Sequence, residues 1–332
     1  MYIPQSQRYA DGRMRYRRCG DSGLRLSEIS LGLWKNFGRT VPLSEVEGMI
    51  HTAFDCGITC FDLANNYGAP HNGSAEENMG RVMASSMKPH RHEMVISTKA
   101  GFDMWEGPYG RGGSRKYLLS SLDESLKRLG LEYVDIFYHH VYDPETPLEE
   151  TAMALDSAVR QGKALYAGIS NYSLKQTRRM TEILKEMKTP FIVNQISYSM
   201  LNRWIEKDGL DVWAAENGVG LTVYSPLYQG LLTDKYLAGV PKDSRIGKGD
   251  TWLGPDIDSG LKARLRRLSS LAEKRKEPLS QLALSWILRN SAVASVIIGA
   301  SSKEQIVENC GCLKAADFSE EELLSIEKIL EE

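Results

Sequence analysis

No excess of charge of either sign marks this chain: 41 lysines and arginines stand against 43 aspartates and glutamates, a formal net charge of −2 over 332 residues. Without a basic surplus there is no electrostatic footprint for nucleic acid or for an anionic membrane surface. Long apolar runs are missing as well. No stretch approaches the roughly 18 apolar residues of a spanning helix, and the opening "MYIPQSQRYADGRMRYRRCG" holds no apolar signal core. A cytoplasmic protein is therefore expected. Cysteine is sparse and odd in number (Cys19, Cys56, Cys60, Cys310, Cys312), with no C-x-x-C pair. The "CGC" near the end lacks the companion ligands of a zinc site, so buried thiols are expected and no metal. Neither G-x-G-x-x-G nor G-x-x-x-x-G-K-[ST] occurs, which removes both glycine phosphate loops. No short repeat or low-complexity linker divides the chain.

What is present is a regular alternation. A hydrophobic content of 42% and a charged content of 25% permit a sizeable core, in one large barrel or two ordinary domains. Strand-like runs fall at 28–34, 58–63, 93–99, 134–140, 164–170, 191–197, 220–226 and 294–300. Most are continuously apolar, as in parallel strands covered on both faces. Helix signals lie between them: Ser44 with Glu47, Thr146 with Glu149 and Ser173 with Gln176 all fit a capping box. Pro147 suits a first helical position, and Leu148, Ala152, Leu155 and Val159 make one apolar stripe. Leu118, Leu122, Leu126 and Leu129 do the same after Ser114, and Phe318 with Leu323 brackets a cap at Ser319 and Glu322. About eight βα units predict a single (β/α)₈ TIM barrel over 1–332, in preference to a doubly wound open sheet. Two segments stand outside the alternation. Residues 8–26 read as a hairpin closing the bottom of the barrel. Residues 231–259 form a Gly-, Pro- and Asp-rich loop of a length that usually covers a ligand.

A barrel gathers the C-terminal ends of its strands at one mouth. Those ends carry Asp62 and nearby Tyr67 in "FDLANNYG", then Lys99, His139 and His140, Ser170 and Asn171, Gln195, and Tyr224 with Ser225. Singly, each has an ordinary role: Asp62 as a loop cap, Lys99 reaching solvent, Tyr67 as a packed ring, His140 as a satisfied core histidine. Arriving together at one rim, they favour a joint role. A phenol titrates at about 10 and is a poor acid near neutrality; a buried ammonium beside it is expected to lower that value. A carboxylate behind the ammonium offsets the cost of burying it. Asp62 thus holds Lys99, Lys99 tunes Tyr67, and Tyr67 gives a proton to a carbonyl oxygen oriented by the neighbouring imidazole.

Such a donor needs a nucleophile, and no side chain supplies one: Ser170 has no His–Asp pair and no cysteine closes a strand. A hydride from a reduced nicotinamide completes the reaction. Ser170, Asn171 and Gln195 suit a carboxamide, and Tyr224 offers a ring for stacking. In "IIGASSKEQIVEN" a glycine turn and Ser301 precede a helix start, and Lys303 adds charge, which suits the 2′-phosphate of NADP; an ordinary capped turn fits the same spacing.

The chain resembles the aldo-keto reductase family over almost its whole length, on "FDLANNYG", "ISTKAG", "SLDESLKRLGLEYVDIFYHH", "GKALYAGISNYS", "NQISYSMLNR", "YSPLYQGLLTDKY" and "GASSKEQIVENCGCL". It is most similar to the branch of bacterial L-glyceraldehyde 3-phosphate reductases and voltage-gated potassium channel β subunits. The resemblance implies a (β/α)₈ barrel, NADP(H) and aldehyde reduction. The family tetrad falls on Asp62, Tyr67, Lys99 and His140, with His139 in a non-catalytic position. Cofactor positions fall on Trp34, Asp62, Ser170, Asn171, Gln195, Tyr224, Ser225, Pro226, Leu227, Gln229, Gly230, Lys235, Arg245, Gly299, Ser301, Gln305, Glu308 and Asn309. Lys235 and Arg245 would meet phosphates, although Asp234 stands where the family often has glycine and puts negative charge beside them. The relatives imply a homo-oligomer, tetramer or larger.

The leading expectation is an NADPH-dependent reductase of small aldehydes, L-glyceraldehyde 3-phosphate or methylglyoxal. Arg111, Arg115 and Lys116, in a Gly-rich loop after the third strand, are candidates for a substrate phosphate, or else part of a solvated surface. The alternative is a cofactor-loaded regulatory subunit similar to the channel β subunits, where the position of His140 is commonly asparagine. A barrel hydrolase or isomerase would need a metal cluster or paired carboxylates at the mouth.

Overall fold

Strands β1 (Tyr16–Arg18) and β2 (Arg25–Ser27) pair antiparallel as the expected hairpin. The computed structural model describes every residue except Met1, Asp11, Asp243, Trp252, Gly254, Pro255, Asp256 and Glu332. Eight parallel strands follow: β3 (Ile29–Gly32), β4 (Cys60–Asp62), β5 (Val95–Ala100), β6 (Val134–His139), β7 (Ala164–Ser170), β8 (Phe191–Ser197), β9 (Gly220–Tyr224) and β10 (Val293–Ile298). β10 pairs with β3 and closes the barrel. The expected runs overshot several strands because their last residues are loop, and that loop is the mouth.

Helices interleave with the strands: α1 (Leu43–Asp55), α2 (Ser74–Val82), α3 (Arg115–Leu129), α4 (Leu148–Arg160), α5 (Leu174–Glu186), α6 (Trp204–Asp208), α7 (Leu210–Glu216), α8 (Ser259–Lys274), α9 (Leu279–Leu288), α10 (Lys303–Cys310) and α11 (Glu320–Glu331). The helices that flank the barrel turn apolar stripes inward; in α3 this stripe is Leu118, Leu122, Leu126 and Leu129, all buried. Among the described residues no helix is long and apolar enough to cross a membrane. Of the five cysteines, all free thiols, only Cys56 is not fully buried.

The capping signals fared unevenly. Ser173 and Gln176 form the reciprocal box, Ser319 and Glu322 exchange the same two bonds, and Ser114 accepts from the Tyr117 amide. Ser44 does not cap α1. That helix begins two residues earlier than such a cap would place it, after Pro42, and Glu47 is taken by the Ser85 and Ser86 hydroxyls. Thr146 does not cap α4 either: its hydroxyl donates to Asp143 at 2.7 Å, and Pro147 sits at the cap itself instead of inside the first turn. In both places a tertiary or loop partner outcompetes the local amide.

The hairpin seals the N-terminal end of the barrel. Cys19 and Leu26 reach into the interior and pack with Cys60, Ile136, Tyr138, Ile192, Val193 and Ala294. The Asp21 amide donates to the Gly218 carbonyl just ahead of β9. At Gly20, whose φ is +56°, a Cβ would lie 2.0 Å from that same carbonyl oxygen. Gly20→Ala is therefore expected to cost about 2 kcal/mol or more, from left-handed strain plus forced separation of the hairpin, read as a lower urea midpoint with kcat retained.

At the opposite end a long connection runs from β9 to α8. Two short 3₁₀ turns, Tyr228–Gly230 and Asp234–Tyr236, start it, and Leu231, Leu232, Tyr236, Ile246 and Ile257 bury themselves beneath it. Lys35, from the loop after β3, pairs with Asp250, and the Thr251 hydroxyl donates to Gln229. The segment expected to cover a ligand is thus held by its own apolar anchors and tied back to the barrel, as compact covering loops are.

Candidate active site

Strand register brings the polar ends to one height: Gly32 lies opposite Asp62, Lys99 opposite Tyr138, and Ser170 opposite Gln195. Asp62, at the end of β4, accepts from Lys99 Nζ at 2.6 Å on Oδ2. Its Oδ1 accepts from Ser97 Oγ at 2.8 Å and, across the barrel, from Gln195 Nε2 at 2.9 Å. Lys99 is fully buried and also donates to the Leu63 carbonyl at 2.7 Å and to the Tyr67 hydroxyl at 3.3 Å. An ammonium carries three donors and no acceptor, so these three partners exhaust it and the Tyr67 oxygen is an acceptor in that bond. The phenolic proton is left pointing elsewhere.

His140 lies beside the phenol, ring centroids 5.7 Å apart and nearly edge-on, and Phe102 packs against its other side at 4.6 Å. Burial, then the Lys99 and His139 charges, hold His140 well below the usual imidazole range, so it is neutral at working pH. Its Nδ1 is buried with no partner. His139 points away from the mouth and bonds the Tyr172 hydroxyl at 2.6 Å.

Electrostatics depart from the expected tuning of Tyr67. Burial, reinforced by the Asp62 charge, raises the phenol instead of lowering it, and burial lowers Lys99 against the support of Asp62. With its carboxylate at 2.6 Å, the ammonium forms a near-neutral pair as seen from the phenol, and desolvation wins. Tyr67 therefore keeps its proton across the working range.

His139 gives a pH-dependent prediction. Burial pushes it down from 6.5 to about 4, so between those values the unfolded chain binds a proton that the folded chain refuses. Stability is then lost as pH falls through that window, by about 1.4 kcal/mol per pH unit. Urea titrations from about pH 7 to about pH 4 should show a slope that becomes shallower in His139→Gln.

The amide and hydroxyl groups expected for a carboxamide form one network. Asn171, at φ +61°, donates to Ser170 Oγ at 3.1 Å and to the His140 carbonyl at 3.0 Å, and accepts from the Tyr224 hydroxyl at 2.7 Å. Gln195 also joins the acid relay, one N–H of its amide donating to Asp62. Beyond β9, Ser225, Tyr228, Gln229 and Gly230 all take positive φ. Three non-glycine residues of this kind within five positions cost about 1–3 kcal/mol each, a cost typically met at ligand clamps. Gln229 Nε2 is buried without a partner, and the space beside Gly299 is open. An unused buried donor and a bare glycine beside this strained turn suit an elongated phosphorylated dinucleotide.

Trp34 stands at the rim, its ring 6.5 Å from that of Tyr67. Ser301 is bonded to Gln305. Lys303 folds across Gly48 of α1, Glu308 accepts from Ser280, and Asn309 is buried. Asp234 accepts from Ser269 on α8, while Lys235 and Arg245 remain on the covering segment. Arg115 is committed to Met153 and Ser157 of α4 and does not reach the mouth; Lys116 lies over the Tyr109 ring; Arg111 stays in the rim loop, 3.6 Å from Asp103. Residues that sequence reasoning passed over are Ser97, which shares Asp62, and Phe102, which wedges His140; strand alternation placed Ser97 on the Asp62 side, but nothing marked it as a partner.

The fold and this mouth define a barrel enzyme with its chemistry at the C-terminal face. The aldo/keto reductase family model matches residues 28–331, and the chain belongs to that family. It is 52% identical over 333 residues to the L-glyceraldehyde 3-phosphate reductase of Escherichia coli (strain K12), covering 99% of this chain and 95% of that one. It is 36% identical over 309 residues to the "Probable voltage-gated potassium channel subunit beta" of Oryza sativa subsp. japonica, covering 92% of each. Among solved structures, the holo form of aldo-keto reductase AKR11C1 from Bacillus halodurans matches with a TM-score of 0.76 at 25% identity, over 95% of this chain and 96% of that one. The chain is accordingly an oxidoreductase of a family that generally uses a nicotinamide cofactor.

Proposed function

We propose that the protein reduces small aldehydes to alcohols with NADPH, L-glyceraldehyde 3-phosphate and methylglyoxal foremost, and that Tyr67 is the proton donor. The observation that carries this reading is the exhausted ammonium: Lys99 spends its donors on Asp62, Leu63 and Tyr67, so the phenol accepts from behind and has its own proton free. A reduced nicotinamide held at this mouth would supply the hydride for the carbonyl carbon. Tyr67 delivers its proton to the carbonyl oxygen as negative charge builds there, and neutral His140 fixes that oxygen without adding a second cation beside Lys99. Phe102 and Trp34 stand at the opening beside His140 and Tyr67.

Ser170, Asn171 and Tyr224 would hold the nicotinamide end. The turn from Ser225 to Gly230, with Lys235 and Arg245, would hold the diphosphate, and Gly299, Ser301, Gln305 and Asn309 the adenosine end. Arg111 is the proposed contact for a substrate phosphate, being the one cation of its trio left in the rim loop. The relative of 52% identity, named for its action on L-glyceraldehyde 3-phosphate, supports this substrate class. The same reading carries a cytoplasmic homo-oligomer, tetramer or larger, measurable by light scattering.

The test is steady-state kinetics with NADPH and NADH across L-glyceraldehyde 3-phosphate, unphosphorylated L-glyceraldehyde and methylglyoxal. NADPH should be preferred. The phosphorylated aldehyde should exceed its parent in kcat/KM by about tenfold, an advantage of about 1.4 kcal/mol that Arg111→Ala removes. Tight NADPH binding with no turnover of any aldehyde would defeat the reading in favour of a regulatory subunit.

A further inference from the structure

Behind the reacting groups lies a second carboxylate that the chemistry above does not use. Glu76, in the first turn of α2, is fully buried. One of its oxygens accepts from the hydroxyl of Thr98, itself fully buried, and the other from Arg128 Nε of α3 at 2.8 Å. Thr98 immediately precedes Lys99 on β5, and strand alternation turns the two side chains to opposite faces, Lys99 into the barrel and Thr98 toward the helices.

The loop from Leu63 to Gly73 carries Tyr67; the Gly68 amide ties it to the Trp34 carbonyl and the Asn65 side chain to Tyr117 and Ser121 of α3, but the attachments that bracket Tyr67 lead to β5 and to Glu76. At its start the Asn65 amide donates to the Lys99 carbonyl at 2.9 Å. At its end the Ala75 amide donates to the Tyr67 carbonyl at 3.1 Å, and the next residue, Glu76, fastens to Thr98. Arg128 clamps the same turn from outside: a Cβ on Gly73 would lie 2.6 Å from its Nε. Tyr67 thus rides on a loop bolted at both ends to consecutive residues of β5, one of which is its ammonium partner. A buried ion pair of this kind adds little stability over an apolar packing of equal volume, but it fixes one geometry.

From these contacts we infer that Glu76 is a positioning residue of the reduction: through Thr98 on one side and the Ala75–Tyr67 backbone bond on the other, it sets the distance between the phenol and Lys99. The inference rests on Tyr67 being the proton donor. Glu76 touches neither substrate nor cofactor, so its effect belongs to the chemical step and not to binding.

The experiment compares Glu76→Gln, Thr98→Val and the double variant with the parent enzyme. It measures kcat, KM, dinucleotide affinity by fluorescence quenching, and the primary isotope effect with 4-deuterated NADPH. Misplacement of a reacting group by a fraction of an ångström should lower kcat about tenfold in Glu76→Gln and several-fold in Thr98→Val. KM and dinucleotide affinity should move by less than about threefold, and the isotope effect should rise as hydride transfer becomes more fully rate-limiting. The double variant should be little worse than Glu76→Gln alone, since both remove one tether. Loss of thermal stability with kcat and isotope effect unchanged, or a fall in kcat matched by a fall in dinucleotide affinity, would overturn the inference. If Glu76→Gln does not fold, Thr98→Val decides by the same readouts. If Tyr67→Phe retains activity, the proton-donor reading itself has failed; if Tyr67→Phe is dead while both tether variants run at the parent rate, only the positioning role has.

Discussion

Tyr67→Phe is expected to lower kcat by about 10²–10⁴-fold, the usual worth of a placed general acid, while dinucleotide binding stays within about threefold of the parent. The change removes one oxygen. The ring keeps its place beside Trp34 and His140, and Lys99 keeps Asp62 and the Leu63 carbonyl, so packing survives and only the proton source is lost. Single-turnover rates under saturating NADPH would read it. A loss below about tenfold would show that water or His140 delivers the proton equally well. Because burial raises the phenol rather than lowering it, the parent rate should also be flat with pH around neutrality, with no limb from Tyr67 ionisation. Its effectiveness as a donor then comes from placement and from the charge building on the substrate oxygen, not from a softened ground state.

The largest effect on stability is expected at Lys99→Met. The methionine fills the channel but leaves Asp62, of which the side chain is 8% exposed, without its cation. Breaking a buried pair from one side costs about 3–5 kcal/mol, because a desolvated charge is stranded. Asp62 would keep Ser97 and Gln195 as neutral donors, which places the expected cost toward the lower end. Adding Asp62→Asn to Lys99→Met should recover part of the loss, since the stranded charge goes with it. Urea unfolding of the parent, the two single variants and the double variant gives the cycle. Single losses under about 1 kcal/mol would mean that water reaches the pair and screens it. Activity should vanish in every variant, so the stability cycle must be read separately from the rate.

Much of this architecture could be read in advance, and the reasons are physical. Covered parallel strands must be apolar, so residues such as Val134–His139 announce themselves as a run. A barrel brings every strand end to one rim, so Asp62, Lys99 and His140 could be assembled without knowing a single contact. Pairings across the barrel were not visible. Gln195 reaches Asp62 over 133 positions of sequence, and Ser97 is unremarkable in composition. Both follow from register, which depends on the whole closed sheet. The sign of the Tyr67 shift departs from the expectation because burial outweighs an ammonium whose field is largely cancelled by its carboxylate at 2.6 Å. Thr146 misled because Asp143 competes for the same hydroxyl, a choice made by loop geometry.

The hairpin plug has a consequence for traffic. With Cys19 and Leu26 stoppering the floor, the far end of the vessel is shut, and the described residues leave the mouth as the way in and out. Aldehyde and alcohol then queue for the same threshold, so departure of the product gates admission of the next molecule, and crowding at the rim governs throughput as much as bond-making within.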